Sequence, residues 1–392
     1  DDLLNECHIS KKFGFVLENP VTDLDDAMFC EWKKLCKLTT DGTDFATVSQ
    51  ILENIKEFDV DALKTHEEQR YAKLLLETIA HGYLFMDINV YEKEDRSKVP
   101  KTLPPSLERP FVELSDILGM KPVVSYASNV LANVILPEGK ENADFIAENL
   151  DIIMPRRHLI DSEDTADHLG YNWFFQVAAE IEAAFAPSIN AIGAVCYASN
   201  HGDKTVDLGD TLAAVIDNCK KAQAGIKKFR VNLNPRVFFY EVRPCLWGYD
   251  NLPNGLKIGG EEVKYRGASA AESTSIHVVD VFLDVPWSAS QRGFNAASRA
   301  IMPSAHRKFI DYIEAALNED KGALLNRIRE HPLFPSAMNA IRDVRSEHVN
   351  LVTLFVVMQM KAPVDMPVSP GKMLLEFLKT FRDACSVPES SQ

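Results

Sequence analysis

The stretch that most constrains this chain runs from Ser336 to Lys361, SAMNAIRDVRSEHVNLVTLFVVMQMK. Ala337, Ile341, Val344, His348, Leu351, Val352 and Phe355 recur at the three- and four-residue spacing that puts side chains on one helix face. Arg342, Asp343, Arg345 and Glu347 fall mostly off that face. Pro335 ends the preceding helix and Ser336 supplies the N-cap of this one. A histidine therefore sits in the middle of a long apolar stripe. It is either a core imidazole hydrogen-bonded to a neighbour or an axial ligand to haem iron. In the second case one ring nitrogen goes to the metal and the other donates to an acceptor that fixes the tautomer. Periodicity does not choose between the two.

Most of the remaining chain is also helical in period. Phe45–Phe58 and Asp61–Ile88 read as helices, the second with Leu63, Leu74, Leu75, Ile79 and Leu84 on its core face. His66 and His81 in that helix have no ligand spacing. Residues 1–25 and 92–105 read as loops, and Asn129–Leu136 as a helix. Pro155–Gly170 is polar and bounded by Pro and Gly, which sets a boundary between residues 1–160 and 161–392. In the larger part Tyr171–Ile189, Asp207–Phe229, Pro235–Trp247, Ser269–Val285, Ser304–Leu317 and Lys372–Ala384 are helical. Gly255–Gly267 alternates around Gly259-Gly260 and reads as a short hairpin, the one β signal, while Met360–Gly371 is a proline-bearing loop. The expected class is all-α, in two domains, with a small hairpin.

Composition narrows the partners. A chain of 392 residues can build two domains and a large core. Its 57 acidic and 42 basic residues leave a net charge of −15, which argues against nucleic acid and against a basic membrane-binding face. No apolar run reads as a membrane span, and the acidic opening DDLLNECHIS is not a signal peptide. Seven scattered cysteines without a CxxC are expected to be reduced, buried, small hydrophobes, as in a cytoplasmic protein.

Eight segments in order resemble the indoleamine 2,3-dioxygenase family of haem enzymes. They are GFVLENP (14–20), PVVSYASNVLAN (122–133), WFFQVAAEIEA (173–183), NPRVFFYEVRP (234–244), YRGASAAESTS (265–275), MPSAHRKF (302–309), VRSEHVNLVT (344–353) and EFLKTFRD (376–383). The resemblance implies a smaller helical lid domain over a larger haem-binding domain. It further implies haem b as cofactor, L-tryptophan or a related indoleamine and O2 as substrates, and a reductant that keeps the haem ferrous. The reaction implied inserts both oxygen atoms across the indole C2–C3 bond to give N-formylkynurenine, the first step of the kynurenine pathway, in a cytoplasmic monomer. An O2-binding, myoglobin-like carrier or a weakly active paralogue is the alternative within the same family.

The resemblance also assigns residues. His348 falls on the proximal ligand, and Asp280 and Arg345 on proximal-side supports, where a guanidinium three residues before His348 meets a propionate or Asp280 as a fork. Phe174 and Phe239 match the distal aromatics that wall an indole, and Phe238 is adjacent. Adjacent helical phenylalanines cannot point the same way, so one of Phe238 and Phe239 faces the ligand. Arg243, four residues after Phe239, matches the arginine that binds the substrate carboxylate. Gly267-Ala268-Ser269-Ala270 matches a small-residue loop whose backbone approaches haem and substrate, with the Ser269 hydroxyl free to bond either. Tyr126 and Val130 match the pocket roof, and His306 is structural. Two departures stand out. Ala178 replaces a distal serine, leaving no distal hydroxyl or histidine for acid–base chemistry. At Val368-Ser369-Pro370-Gly371 the family's mobile loop is altered: Ser369 keeps a hydroxyl, but Pro370 stiffens the chain.

Overall fold

The computed structural model describes residues 2–24, 27–41, 43–85, 99–155, 165–203, 207–252, 254–360 and 370–386. The architecture is all-α, with two small antiparallel strand pairs among the described residues. The N-terminal helices are α1 (Asp2–Glu6), α2 (Ala27–Thr40), α3 (Phe45–Asn54), α4 (His66–Phe85), α5 (Pro105–Leu118) and the single turn α6 (Tyr126–Asn129). They gather on α4, against which α2, α5 and α6 pack. Because neighbours cover it on all sides, α4 is buried nearly all round, and the core face read from Leu63, Leu74, Leu75, Ile79 and Leu84 is too narrow. Arg70, Lys73 and Glu77 are buried with them.

The helix expected over 129–136 is corrected. The turn ends at Asn129, and the apolar Val134–Ile135 forms β1, paired with β2 (Asp151–Ile152). Pairing satisfies backbone groups that a broken helix would leave open. Residues 2–6, expected as loop, form α1.

The C-terminal helices are α7 (Thr165–Ala183), α8 (Ala186–Asn200), α9 (Leu208–Asn232), α10 (Pro235–Val237), α11 (Thr274–Phe282), α12 (Ala289–Arg299), α13 (Ser304–Asn318), α14 (Ala323–Glu330), α15 (Phe334–Phe355) and α16 (Pro370–Asp383). The central element is α9, with α7, α8 and α15 around it, and α16 closes over α15. Gly170–Asn200 is long and apolar enough to cross a bilayer by composition, yet it is divided between α7 and α8 and is mostly buried in the protein. The hairpin forms as read: β3 (Leu256–Ile258) pairs with β4 (Glu261–Val263). Gly259 and Gly260 take φ of 60° and 86°, the positive pair that a type I′ turn requires.

One expectation about α15 fails. The helix begins at Phe334 with Pro335 in its first turn, so Ser336 is not its N-cap. Proline fits there because the first N–H groups of a helix have no intrahelical partner in any case. One cluster of buried apolar side chains runs through both groups of helices. Most of the stretch expected to divide them, residues 156–164, lies outside the described residues, as do Val368 and Ser369.

Candidate active site

The faces of α7, α9 and α15 that turn inward enclose a cavity of about 690 Å³, within the range of roughly 300–1,000 Å³ usual for small-molecule sites. His348 lines it from the middle of α15, flanked by Val344, Val352 and Phe355 of the same stripe. The imidazole is half-buried, its exposed edge turned to the cavity. Burial first, and the charge of Arg345 second, push its pKa down to about 4. It is therefore neutral at pH 7, the form in which imidazole binds a metal. Among the described residues no hydrogen-bond partner reaches its ring. The acceptor expected for its second nitrogen is thus missing, and both nitrogens are open.

Beneath His348 the proximal side is braced as expected, with one difference. Nη2 of Arg345 lies 2.7 and 2.6 Å from the two carboxylate oxygens of Asp280. The expected fork does not form, because Nη1 donates instead to the Cys385 thiol at 3.1 Å. Burial opposes the charge of Arg345, but Asp280 outweighs it and raises the pKa above the ordinary arginine value. The guanidinium also stacks 5.1 Å from the Trp287 ring centroid. Side chains from α11 and from the chain just after α16 are thereby tied to α15, one turn before His348.

Across the cavity, Phe174 of α7 packs 5.1 Å from Phe238, and Phe238 meets Phe355 edge-on at 5.7 Å. These rings form an apolar wall joined to the His348 helix. The geometry of Phe238 explains which of the paired phenylalanines faces inward. Pro244 has no N–H for an ordinary helical bond, and residues 238–242 form a π turn in which the Arg243 N–H bonds to the Phe238 carbonyl. A five-residue spacing then brings Phe238 and Arg243 to the same face, and both line the cavity. The four-residue contact of Phe239 with Arg243 forms as well, but of those two only Arg243 lines the cavity. Phe239 is not among the lining residues, and its ring lies 5.2 Å from the Arg243 guanidinium.

The roof is held by buried charge. Glu77 of α4 pairs with Lys73, accepts from the Ser125 and Ser128 hydroxyls at 2.9 and 3.0 Å, and takes the Ser125 N–H at 3.1 Å. Nη2 of Arg70 donates to the Ala127 carbonyl at 2.8 Å. These bonds fix α6, which presents Tyr126 and Val130 to the cavity.

The small-residue loop is held by a close backbone contact. A Cβ on Gly267 would lie 2.0 Å from the Leu246 carbonyl oxygen, and one on Gly248 would lie 2.1 Å from the Gly267 nitrogen. The two glycines let two backbones touch, and Gly267 and Ala268 also line the cavity. Beyond them Ser269 caps a short turn, its Oγ accepting from the Ala271 N–H at 3.2 Å. Ser269 and Ala270 line the cavity, and the Ser269 hydroxyl proton is not used by that cap.

Ala178 lines the cavity with no polar atom of its own. The site nevertheless contains two carboxyls that the sequence reading missed. Glu182, one turn beyond Ala178, accepts from the Tyr126 hydroxyl at 3.0 Å and from Ser275 at 2.7 Å. Glu272 accepts the N–H groups of Tyr126 and Ser269, both at 3.0 Å. Burial raises the pKa of both, that of Glu272 to about 8. The signal was present: Glu182 stands on the Phe174–Ala178 stripe, where a solvated glutamate has no place. His306 is wholly buried against Phe15, in keeping with a structural role.

The residues fit haem: a neutral imidazole with both nitrogens open, at the centre of an apolar face, beside a cavity with cations in its wall. A family model described as indoleamine 2,3-dioxygenase matches residues 3–386. The chain is 29% identical over 369 residues to indoleamine 2,3-dioxygenase 1 of Rattus norvegicus, covering 91% of this chain and 85% of the relative. It is 27% identical to indoleamine 2,3-dioxygenase 2 of Homo sapiens, covering 97% and 94%. It is also 27% identical to a protein named myoglobin from Haliotis madaka, covering 98% of each chain. The chain belongs to the indoleamine 2,3-dioxygenase family, and is a haem-dependent dioxygenase.

Proposed function

We propose that this protein opens the indole ring of L-tryptophan, giving N-formylkynurenine, as a cytoplasmic monomer that uses haem b and a reductant. The observation that carries the reading is the π turn, across which Arg243 and Phe238 both line the cavity that holds His348. A planar aromatic amino acid needs a flat apolar wall for its ring and a guanidinium for its carboxylate, and these two side chains supply both. His348 would hold the iron. Bound haem supplies the binding and activation of O2. The chain's own part is to orient the indole against Phe238 and Phe174, grip the carboxylate with Arg243, and keep water out with the roof of Tyr126 and Val130. Glu182 and Glu272 are held by hydrogen bonds to the roof and the Ser269 loop, so they shape the cavity and no proton transfer is assigned to them.

The test is product formation by the haem-loaded protein with reductant, L-tryptophan and 18O2. Mass spectrometry should find N-formylkynurenine carrying two labelled oxygens. A second reading, reversible O2 carriage, is favoured by the full-length similarity to the Haliotis protein named myoglobin. A stable O2 complex that never yields labelled product would establish that reading instead.

A further inference from the structure

Three arginines line the cavity among the described residues, and they differ in what they touch. Arg345 is committed to Asp280. The Arg243 guanidinium lies over Phe239. Arg266 lies 4.5 Å from the Phe294 ring centroid and donates a long bond, 3.5 Å, to the Ser298 hydroxyl. No carboxylate among the described residues comes within 4 Å of it. Asp250 lines the same cavity and feels the charge of Arg266, but its side chain is bonded to Asn251 Nδ2 at 2.9 Å.

The placement of Arg266 is fixed from two directions. It directly precedes Gly267, whose backbone is pressed against Gly248 and Leu246. Phe294 and Ser298 stand one turn apart on α12 and hold the plane of its guanidinium. A guanidinium has five N–H donors, so most of its capacity is left for something inside the cavity. Arg266 is only partly buried, so water satisfies part of the guanidinium, and the N–H groups not used by Ser298 are open to an anion held in the cavity. Its shape selects carboxylates that bind in a fork.

We propose that Arg266 is a second carboxylate-binding residue of this cavity, serving a carboxylate carried on an apolar ring system. The inference rests on the proposed function. Two sources have that chemistry there, a haem propionate and the carboxylate of the amino-acid substrate, and the test separates them.

The variants are Arg266→Met, which keeps the length and loses the charge, and Arg266→Lys, which keeps the charge and loses the fork. In one arm the apoprotein is titrated with haemin and with haemin dimethyl ester, followed by the Soret band. In the other the haem-loaded protein is titrated with L-tryptophan and with tryptamine, followed by difference spectra. If the propionate is the ligand, Arg266→Met weakens haemin binding by roughly tenfold or more and leaves the ester unchanged. If the substrate is the ligand, the same selective loss falls on L-tryptophan and spares tryptamine. In either case Arg266→Lys recovers part of the loss. Equal effects on the acid and its neutral counterpart in both arms, or no effect in either, overturn the proposal. Should Arg266→Met fail to fold, Arg266→Gln replaces it, and the same comparisons decide. If the wild-type protein takes up no haem, the proposed function fails. Calorimetry of the apoprotein with indole-3-propionate against indole-3-propionamide then tests Arg266 by itself, and a wild-type preference for the acid that the Met variant retains overturns it.

Discussion

Two buried polar side chains face each other in kind across this molecule. Glu77, in the helix under the roof, is fully buried, and both its oxygens are occupied by Lys73, Ser125, Ser128 and the Ser125 N–H. His348, in the helix under the cavity, meets no hydrogen-bond partner among the described residues, and burial holds it neutral. The desolvation cost of a buried polar group has to be offset, by neighbours in the first case and by an incoming ligand in the second. The charge of Glu77 is satisfied within the protein, whereas the half-buried imidazole of His348 opens onto the cavity; it is the cavity that sets it apart, since Nε2 of the wholly buried His306 also lacks a partner among the described residues.

The strongest test of that contrast removes the open partner. His348→Ala should abolish the Soret band of the reconstituted protein while leaving its far-ultraviolet circular dichroism unchanged. Normal haem uptake by the variant would break the comparison. On the other side, Glu77→Ala should leave Lys73 buried without its counter-charge and cost about 3–5 kcal/mol of stability. Denaturant titration measures this, and the double variant Lys73→Met with Glu77→Leu should recover much of it. A smaller effect is expected at Arg243. Arg243→Leu should reduce kcat/KM for L-tryptophan by roughly ten- to a hundredfold, the worth of a charge-assisted hydrogen bond, with haem content intact. The loss should shrink for indoles that lack a carboxylate.

A pH test sharpens the comparison, because Glu272 lies between its two cases. Its oxygens are bonded to two N–H groups, yet burial raises its pKa from 4.5 to about 8. The folded protein thus keeps this proton where the unfolded chain has lost it. The stabilisation from that difference is complete below pH 4.5 and is lost as the pH rises through 8. Melting curves should show the wild type losing stability relative to Glu272→Gln as the pH is raised from 5 to 9. A constant gap would show that Glu272 is ionised throughout.

The apolar periodicity of α15 and α9 and the Gly259-Gly260 hairpin were readable from residue type alone, because each depends on neighbours in sequence. His348 as an open ligand was readable only as one of two possibilities, since the absence of a partner is a fact of tertiary structure. The contact of Phe239 with Arg243 was readable from the four-residue spacing, but not that Phe238 rather than Phe239 lines the cavity, because helix period was taken as uniform. Pro244 carried the warning, since a residue without an N–H disturbs the turn before it. Lys73 and Glu77 have the i,i+4 spacing of an exposed helix pair, and the packing of α2, α5 and α6 around α4 buries them. Glu182 was legible from its place on the Phe174–Ala178 stripe, whereas the burial of Glu272 follows from tertiary packing.

The contact between Gly248 and Gly267 has a mechanical consequence. One backbone leads from Arg243 and the other leads to Arg266 and Ser269, and they touch where neither carries a side chain. The spacing of these two walls is set by the thickness of a peptide group, which does not compress and has no rotamers to change. The joint works like a rivet between two plates: the plates carry adjustable side chains, and the distance between them does not adjust. Changes in what the cavity accepts are open to the residues on either side of this joint, whereas at the two glycines even a methyl group would force the walls apart.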